Sequence, residues 1–344
     1  MTSLNSQLST INLIILALCS LSACRSVNTQ MWLKQQAADK VTYTIDQKRL
    51  KQYQHIADSL QIIPVLSVTT TNPDYDVYHN LYHHGIAFET EQMAYRIYFD
   101  NKQTIDLYAK RSPQLELEQS LWYPNDVQLS QGFGDDVLRV SGAIGVGAVK
   151  PWNGQKMTHI EQWESRTERI IERSNSRTIS EIEVTGWQTE GKNVDMRVRY
   201  TMYAGHRDVQ VEVFLSQPIN NLVTGVQKIP LKSKPETTNP DDIRCSYTWQ
   251  EGDLLGSWGM DWPVEDTVKY HKEIVGLGCY VPQQYVKDIV EDRQNIMIRF
   301  QPLTYLKFHI TAVAQKENNP PARNQREFID YLRKWRKSLQ EYKK

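Results

Sequence analysis

Between Tyr82 and Arg96 the chain gathers two adjacent imidazoles, His83 and His84, two carboxylates, Glu89 and Glu91, and one guanidinium. Those groups suit proton abstraction beside a carboxylate. A base takes the proton, a cation steadies the developing enolate, and an acid helps the leaving oxygen. His83 or His84 is the expected proton-transfer group with Glu91 as its partner, and Arg96 or Lys150 the expected carboxylate neutraliser. If residues 89–97 are extended, Glu89 and Glu91 point to one face. Two glutamates are costly to bury unpaired, so they are expected to meet solvent, a cleft, Arg96 or a metal. The same residues also admit a plain structural reading. A His-His pair before Gly85 commonly caps backbone groups, exposed ion pairs contribute little, and Arg96, between Tyr95 and Tyr98, can extend from a half-buried strand.

A second candidate lies at residues 254–266, LLGSWGMDWPVED. Trp258 and Trp262 flank Asp261, and aromatic faces beside a carboxylate hold sugar rings. The alternative is that both indoles belong to the core and Asp261 caps a turn before Pro263. Lys150 and Trp152 follow the glycines of SGAIGVGAVKP, where backbone can approach a neighbour closely. Trp122 and Tyr123 are further aromatics for the same groove, and His206 sits in a tight turn. As substrate-binding residues the sequence therefore offers Glu89, Lys150, Trp152, His206, Trp258, Asp261 and Trp262. A glycosidase would pair Glu89 or Glu91 with Asp261, and an epimerase or mutarotase would use His83, His84 and Glu91. A non-catalytic glycan-binding module would need only the aromatics. No phosphate loop, H-E-x-x-H or G-x-S-x-G is present, and Pro151 stands where a dinucleotide-binding helix would begin. No motif requires a cofactor, and a divalent cation is left open.

The elements that must position these groups are mostly strands. Met196, Val198, Tyr200 and Met202 alternate with polar residues, as do Val209, Val211, Val213 and Leu215, with Gly205-His206-Arg207 as the turn. The same period recurs in AYRIYFD and TIDLYA, which turn through Asn101-Lys102, and in DVLRVSG, TISEIEVTGW, NIMIRF and YLKFHITAVA. Short strands at this spacing predict a sandwich rather than βαβ units. Helix is expected within about residues 32–60 and over the closing REFIDYLRKWRKSLQEYK, where Phe328, Leu332 and Trp335 recur at helical spacing. That last helix is expected to strap the sandwich.

Lys plus Arg equals Asp plus Glu at 40 each, so no global field favours nucleic acid. Residues 11–23 form an apolar run too short to span a bilayer. They read as the core of a signal peptide over residues 1–23. Leu21-Ser22-Ala23-Cys24 looks like the lipobox of bacterial lipoproteins, which makes Cys24 the expected lipidation site, and Arg25 resembles the pattern of lipoproteins sent to the outer membrane. The expected order is a leader, a lipidated and partly helical segment over 24–60, and a β-domain with a C-terminal helix over 61–344. Cys245 and Cys279 remain in the mature fold, and their spacing leaves a disulfide open.

The blocks YHHGIAFETEQMAYRIYFDNKQTIDLYAK, GFGDDVLRVSGAIGVGAVKPWNGQK, YAGHRDVQVEV and GMDWP resemble a bacterial lipoprotein family catalogued as domain of unknown function 4861, from about residue 30 onward. The resemblance implies an all-β, galactose mutarotase-like β-supersandwich and a setting in polysaccharide degradation. It carries over no catalytic residue, and fold analogy assigns no chemistry. The combined expectation is a lipid-anchored enzyme, a glycan lyase, facing a uronic-acid-containing polysaccharide. Residues 82–96 and 258–262 must then share one groove.

Overall fold

The computed structural model describes residues 26–120, 123–231, 234–268 and 270–341. The leader and Cys24 lie outside them, as does Trp122. The chain is mostly β, with antiparallel sheets packed as a sandwich. The largest sheet has eleven strands and runs from the hairpin Tyr247–Glu251 and Leu254–Asp261, through Glu273–Tyr280 and Tyr305–Ala314, to the long strands Val209–Leu215, Lys192–Tyr203, Arg177–Thr189 and Ser165–Arg173. It ends at Ile62–Thr70 and Trp32–Lys34, with Thr42–Ile45 as the eleventh strand, paired off this path to Ile62–Thr70. A five-stranded sheet packs against it, ordered Val27–Gln30, Gly85–Thr90, Met93–Tyr98, Ile105–Ala109 and Asp135–Asp136. A four-stranded sheet joins Val286–Glu291, Asn295–Phe300, Leu222–Gln227 and Lys150–Pro151.

The period-two segments form strands for the expected reason. In the pair 196–202 and 209–215, Val198 faces Val213 and Tyr200 faces Val211. All four are buried, while the residues between them point outward. One segment departs from the reading. In DVLRVSG only Asp136 pairs as strand, continuing from Asp135, and residues 137–141 run on without regular structure. Residues 32–60 are mixed: strands at Trp32–Lys34 and Thr42–Ile45, a 3-10 turn at Gln35–Lys40, and short helices at Gln47–Gln52 and Gln54–Leu60.

The helix Gln325–Glu341 straps the large sheet, burying Phe328, Leu332 and Trp335. Its close seat depends on glycines beneath it. A Cβ on Gly276 would lie 2.7 Å from the Phe328 ring, and one on Gly256 would lie 2.8 Å from Leu332 Cδ1. Cys245 and Cys279 are free buried thiols. Among the described residues, no helix is long and apolar enough to cross a membrane.

The strap supplies a test of this packing. Phe328→Ala is expected to cost about 3–5 kcal/mol through the cavity it leaves, and Gly276→Ala about 1–3 kcal/mol through overpacking. Urea denaturation midpoints measure both, and an unchanged midpoint in either variant contradicts the packing described.

Candidate functional site

The five-stranded sheet has two unlike faces. Ile86, Phe88, Met93, Tyr95, Ile97, Ile105 and Leu107 point into the main core. Arg96 opposes Asp106, and Ala94 opposes Tyr108, which in turn opposes Asp136. Because side chains alternate along a strand, Arg96, Tyr98, Asp106, Tyr108 and Asp136 all leave by the other face. That face is polar yet buried: Arg96, Asp106 and Asp136 are no more than 2% exposed.

Arg96 is the hub. Its Nε and Nη2 donate to Asp106 Oδ2 at 3.1 and 2.8 Å, and Nη1 donates to the Tyr108 hydroxyl at 2.6 Å. Nη2 also reaches Tyr98 at 2.8 Å, Tyr123 at 3.2 Å and Asp136 Oδ2 at 3.2 Å. The guanidinium carbon lies 5.0–5.3 Å from the centroids of all three phenol rings, which adds cation–π attraction. Tyr98 donates onward to Asp106 Oδ2 at 3.2 Å.

The cluster opens into a cleft of about 270 Å³. Tyr78, Tyr98 and Lys102 line one side, Tyr123 and residues 138–141 line another, and Pro263, Val264 and Glu265 close it from the loop after Trp262. Lys102 rides on a turn shaped by Asp100, whose Oδ1 accepts from the backbone N–H groups of Lys102 and Gln103. Its ammonium bonds the Tyr78 hydroxyl and pairs with Asp100 at 3.3 Å.

Burial sets the protonation. Asp136 is pushed well above the ordinary carboxylate range by burial and by the Asp106 charge, so it is held as a neutral acid. Burial raises Asp106 as well, but Arg96 opposes that rise. We therefore assign the charge to Asp106 and the proton to Asp136, the split that lets one carboxyl accept while its neighbour donates. Burial also raises Tyr98 and Tyr123, which are phenols rather than phenolates at neutral pH.

The tandem histidines lie behind this wall. His83 and His84 adopt left-handed backbone, with φ of 55° and 58°, and are buried. The His84 ring stacks on Tyr98 with centroids 5.5 Å apart and meets Tyr78 at 4.8 Å. His83 packs edge-on against Tyr108 at 6.0 Å. Burial, then the Arg96 charge, lowers each to about 3. Both imidazoles are thus neutral supports for the phenols, and neither lines the cleft.

Several other expected site residues are structural. The strand ends at Thr90, so Glu91 falls in a turn and does not share the Glu89 face; it lines a different cavity, with Arg111, Arg207 and Glu317. Glu89 is fully buried, pairs with Lys110, and accepts from the backbone N–H groups of Glu116 and Leu117 at 2.8 and 3.0 Å. It thereby clamps the covering segment onto the polar face. Lys150 is sealed, its ammonium donating to Thr104 Oγ1 at 2.9 Å and lowered by burial to about 7. Gly145, just upstream, passes so close to the Ile105 carbonyl that a Cβ there would collide with it. Trp152 and Trp258 are core, and the Trp258 indole donates to the Ile243 carbonyl at 3.1 Å. Stacking of sugar on either is ruled out by burial. Asp261 caps a turn, accepting from the Leu231 and Trp262 N–H groups. One face of Trp262 is taken by the Lys272 ammonium, 4.4 Å from the ring centroid. His206 stands exposed in its turn, 3.1 Å from Asp208. Arg96 and Tyr123, by contrast, both reach the cleft, and the segment after Trp262 does come to its mouth. Among the described residues, no group of three or more His, Cys, Asp or Glu is placed to hold a metal ion.

Asp106, Asp136, Tyr78, Tyr98, Tyr108 and Lys102 were not singled out by sequence. A partial signal existed in the alternation of Arg96-Ile97-Tyr98 and Asp106-Leu107-Tyr108, which places four polar groups on one face. Nothing local indicated that residues 110–120 and 123–134 would cover it.

Two pH effects follow. Unfolded imidazole titrates near 6.5 and folded His83 near 3, so the stability tied to its neutral form is present above about 6.5 and lost as pH falls toward 3. His83→Asn, which tolerates left-handed backbone, is expected to flatten that acid limb by on the order of 3 kcal/mol. Denaturation from pH 7 to 4 reads this, and parallel curves for the two proteins refute it. Asp136 behaves oppositely: its folded pKa is raised, so it costs stability progressively as pH rises above about 4. Asp136→Asn is expected to melt higher than the parent at pH 8 by more than at pH 4.

The family model for a domain of unknown function, DUF4861, matches residues 25–342. A search of curated proteins gives no match. Among solved structures, a 4-alpha-glucanotransferase from Thermococcus litoralis is similar over 66% of this chain and 39% of its own, at 12% identity and a TM-score of 0.33. The match spans well under half of that enzyme, and a likeness at that level carries nothing over to this chain.

Proposed function

We propose that this chain, which belongs to the DUF4861 family, cleaves a uronic-acid-containing glycan by β-elimination in the cleft around Arg96. The observation that carries the reading is the convergence on one guanidinium of three phenols and two carboxyls of unlike proton affinity. Arg96 and Lys102 attract the uronate carboxylate and steady the charge that develops on it. The Tyr98 oxygen takes the proton beside that carboxylate as its own proton passes to Asp106, to which it already donates. The electron pair forms the carbon–carbon double bond, the bond to the glycosidic oxygen breaks, and Asp136 gives its proton to the leaving oxygen. The histidines act through the phenols they pack against.

A retaining glycoside hydrolase is the second reading. Both carboxylates reach the same Arg96 nitrogen, at 2.8 and 3.2 Å, which brings them closer than the roughly 6.5–9.5 Å of inverting pairs. The leader and lipobox support a protein exported and tethered through Cys24, with the outer membrane as its destination. The family resemblance supports a galactose mutarotase-like supersandwich and a role beside other polysaccharide-degrading enzymes.

Incubating the purified protein with a panel of uronic polysaccharides tests the reaction. Absorbance of an unsaturated product is expected; new reducing ends without absorbance support hydrolysis instead, and binding without turnover supports a module. Tyr98→Phe and Asp136→Asn are each expected to slow turnover about 10²-fold or more. Parent rates in both folded variants would remove the cluster from the mechanism.

A further inference from the structure

We infer that Arg139 is a second anion seat in the cleft, that it selects substrates carrying another uronate beside the one held at Arg96, and that Glu265 fills it when substrate is absent. The inference rests on the cleft reading above and adds a recognition residue to it. Arg139 stands three residues after Asp136 on a segment held rigid at both ends: Asp136 Oδ1 accepts from the Leu138 N–H at 3.1 Å, and the Gln227 amide donates to the Arg139 carbonyl at 2.9 Å. Its guanidinium lines the cleft. The ion pair it makes there is with Glu265, which arrives from the opposite wall.

The two partners are unlike. The Arg139 side chain is 17% exposed and the Glu265 side chain 81% exposed, so the cation is built into the wall while the carboxylate lies on top. Glu265 belongs to a stretch anchored at its root, where Asp261 accepts from Leu231 and Lys272 covers Trp262, whereas Val268 just beyond is 95% exposed. The carboxylate side of this pair is open to water, which screens it, so a ligand that offers the same group competes with Glu265 for the guanidinium. A guanidinium recognises a planar carboxylate through paired N–H donors, and the group already seated there is a carboxylate. A second uronate on the same glycan therefore matches the seat in charge and shape, and its arrival displaces Glu265.

Calorimetric titration of the parent, Glu265→Gln and Arg139→Gln with a tetrauronide and with a disaccharide bearing one uronate reads the seat without requiring turnover. Glu265→Gln is expected to bind the tetrauronide severalfold more tightly. Arg139→Gln is expected to lose tenfold or more for the tetrauronide and less than twofold for the disaccharide, and salt is expected to weaken the parent's preference for the longer ligand. Equal affinities of parent and Arg139→Gln for the tetrauronide, or no tightening in Glu265→Gln, overturn the inference. Absence of turnover with the seat intact would instead count against the elimination reading. A sulfated neutral tetrasaccharide serves as the control for anion chemistry; binding equal to that of the tetrauronide overturns selection for a carboxylate.

Discussion

The constraint that organises this protein is a buried guanidinium. Taking Arg96 out of water is tolerable only because every direction around it offers compensation: a carboxylate at 2.8 Å, three phenol oxygens, and the faces of the same three rings. Those partners come from two strands, Met93–Tyr98 and Ile105–Ala109, and from the covering segment at Tyr123. The polar face of the five-stranded sheet can therefore close only when residues 110–120 and 123–134 are in place. Glu89, Lys110 and Gln30 hold that chain down through ion pairing and backbone contacts.

The same burial sets the chemistry. A carboxyl beside another charged carboxyl, both away from water, keeps its proton, and that is the state of Asp136. Imidazoles in the same surroundings lose theirs, and that is the state of His83 and His84. Asp136, which would be charged in neutral water, is thus held neutral, and the histidines stay neutral down to pH values at which free imidazole is charged, at a cost in stability that depends on pH. Buried carboxyls of perturbed proton affinity gathered at one cleft, as Asp106 and Asp136 are, are a usual mark of proton-transfer work. Among the described residues, the large sheet and its helical strap bring no comparable cluster to the cleft and serve as its backing.

The rim of the cleft obeys different physics. Glu265 lies open to water and Lys102 keeps partial contact with it while Arg139 is mostly covered, so these pairings each have a hydrated side that screens them. On the proposed reading, a firm centre with a hydrated rim gathers an anionic chain by long-range attraction and orients it with groups that do not move. The loop after Trp262 contributes to the rim because the hairpin Leu254–Asp261 and Glu273–Tyr280 ends beside the five-stranded sheet, an adjacency set by the sandwich.

The strands were legible because half-buried sheets write their burial into a period of two, as in Met196 to Met202 and Val209 to Leu215. The C-terminal helix was legible because Phe328, Leu332 and Trp335 share one stripe. Arg96 was legible as a cation set among aromatics, and Tyr123 as a groove aromatic. The histidines looked like the chemistry because their type suggests proton transfer, yet side-chain type does not report solvent access. Burial and partnership are properties of contacts between residues far apart in the chain. Only packing could therefore seal Trp258 under the strap, turn Glu89 into a clamp, and place Asp136 against Arg96, forty residues away in sequence. Local pattern determined which residues alternate and which face is polar; the tertiary structure decided which of those polar groups lost water, because burial comes from contacts between distant stretches of chain.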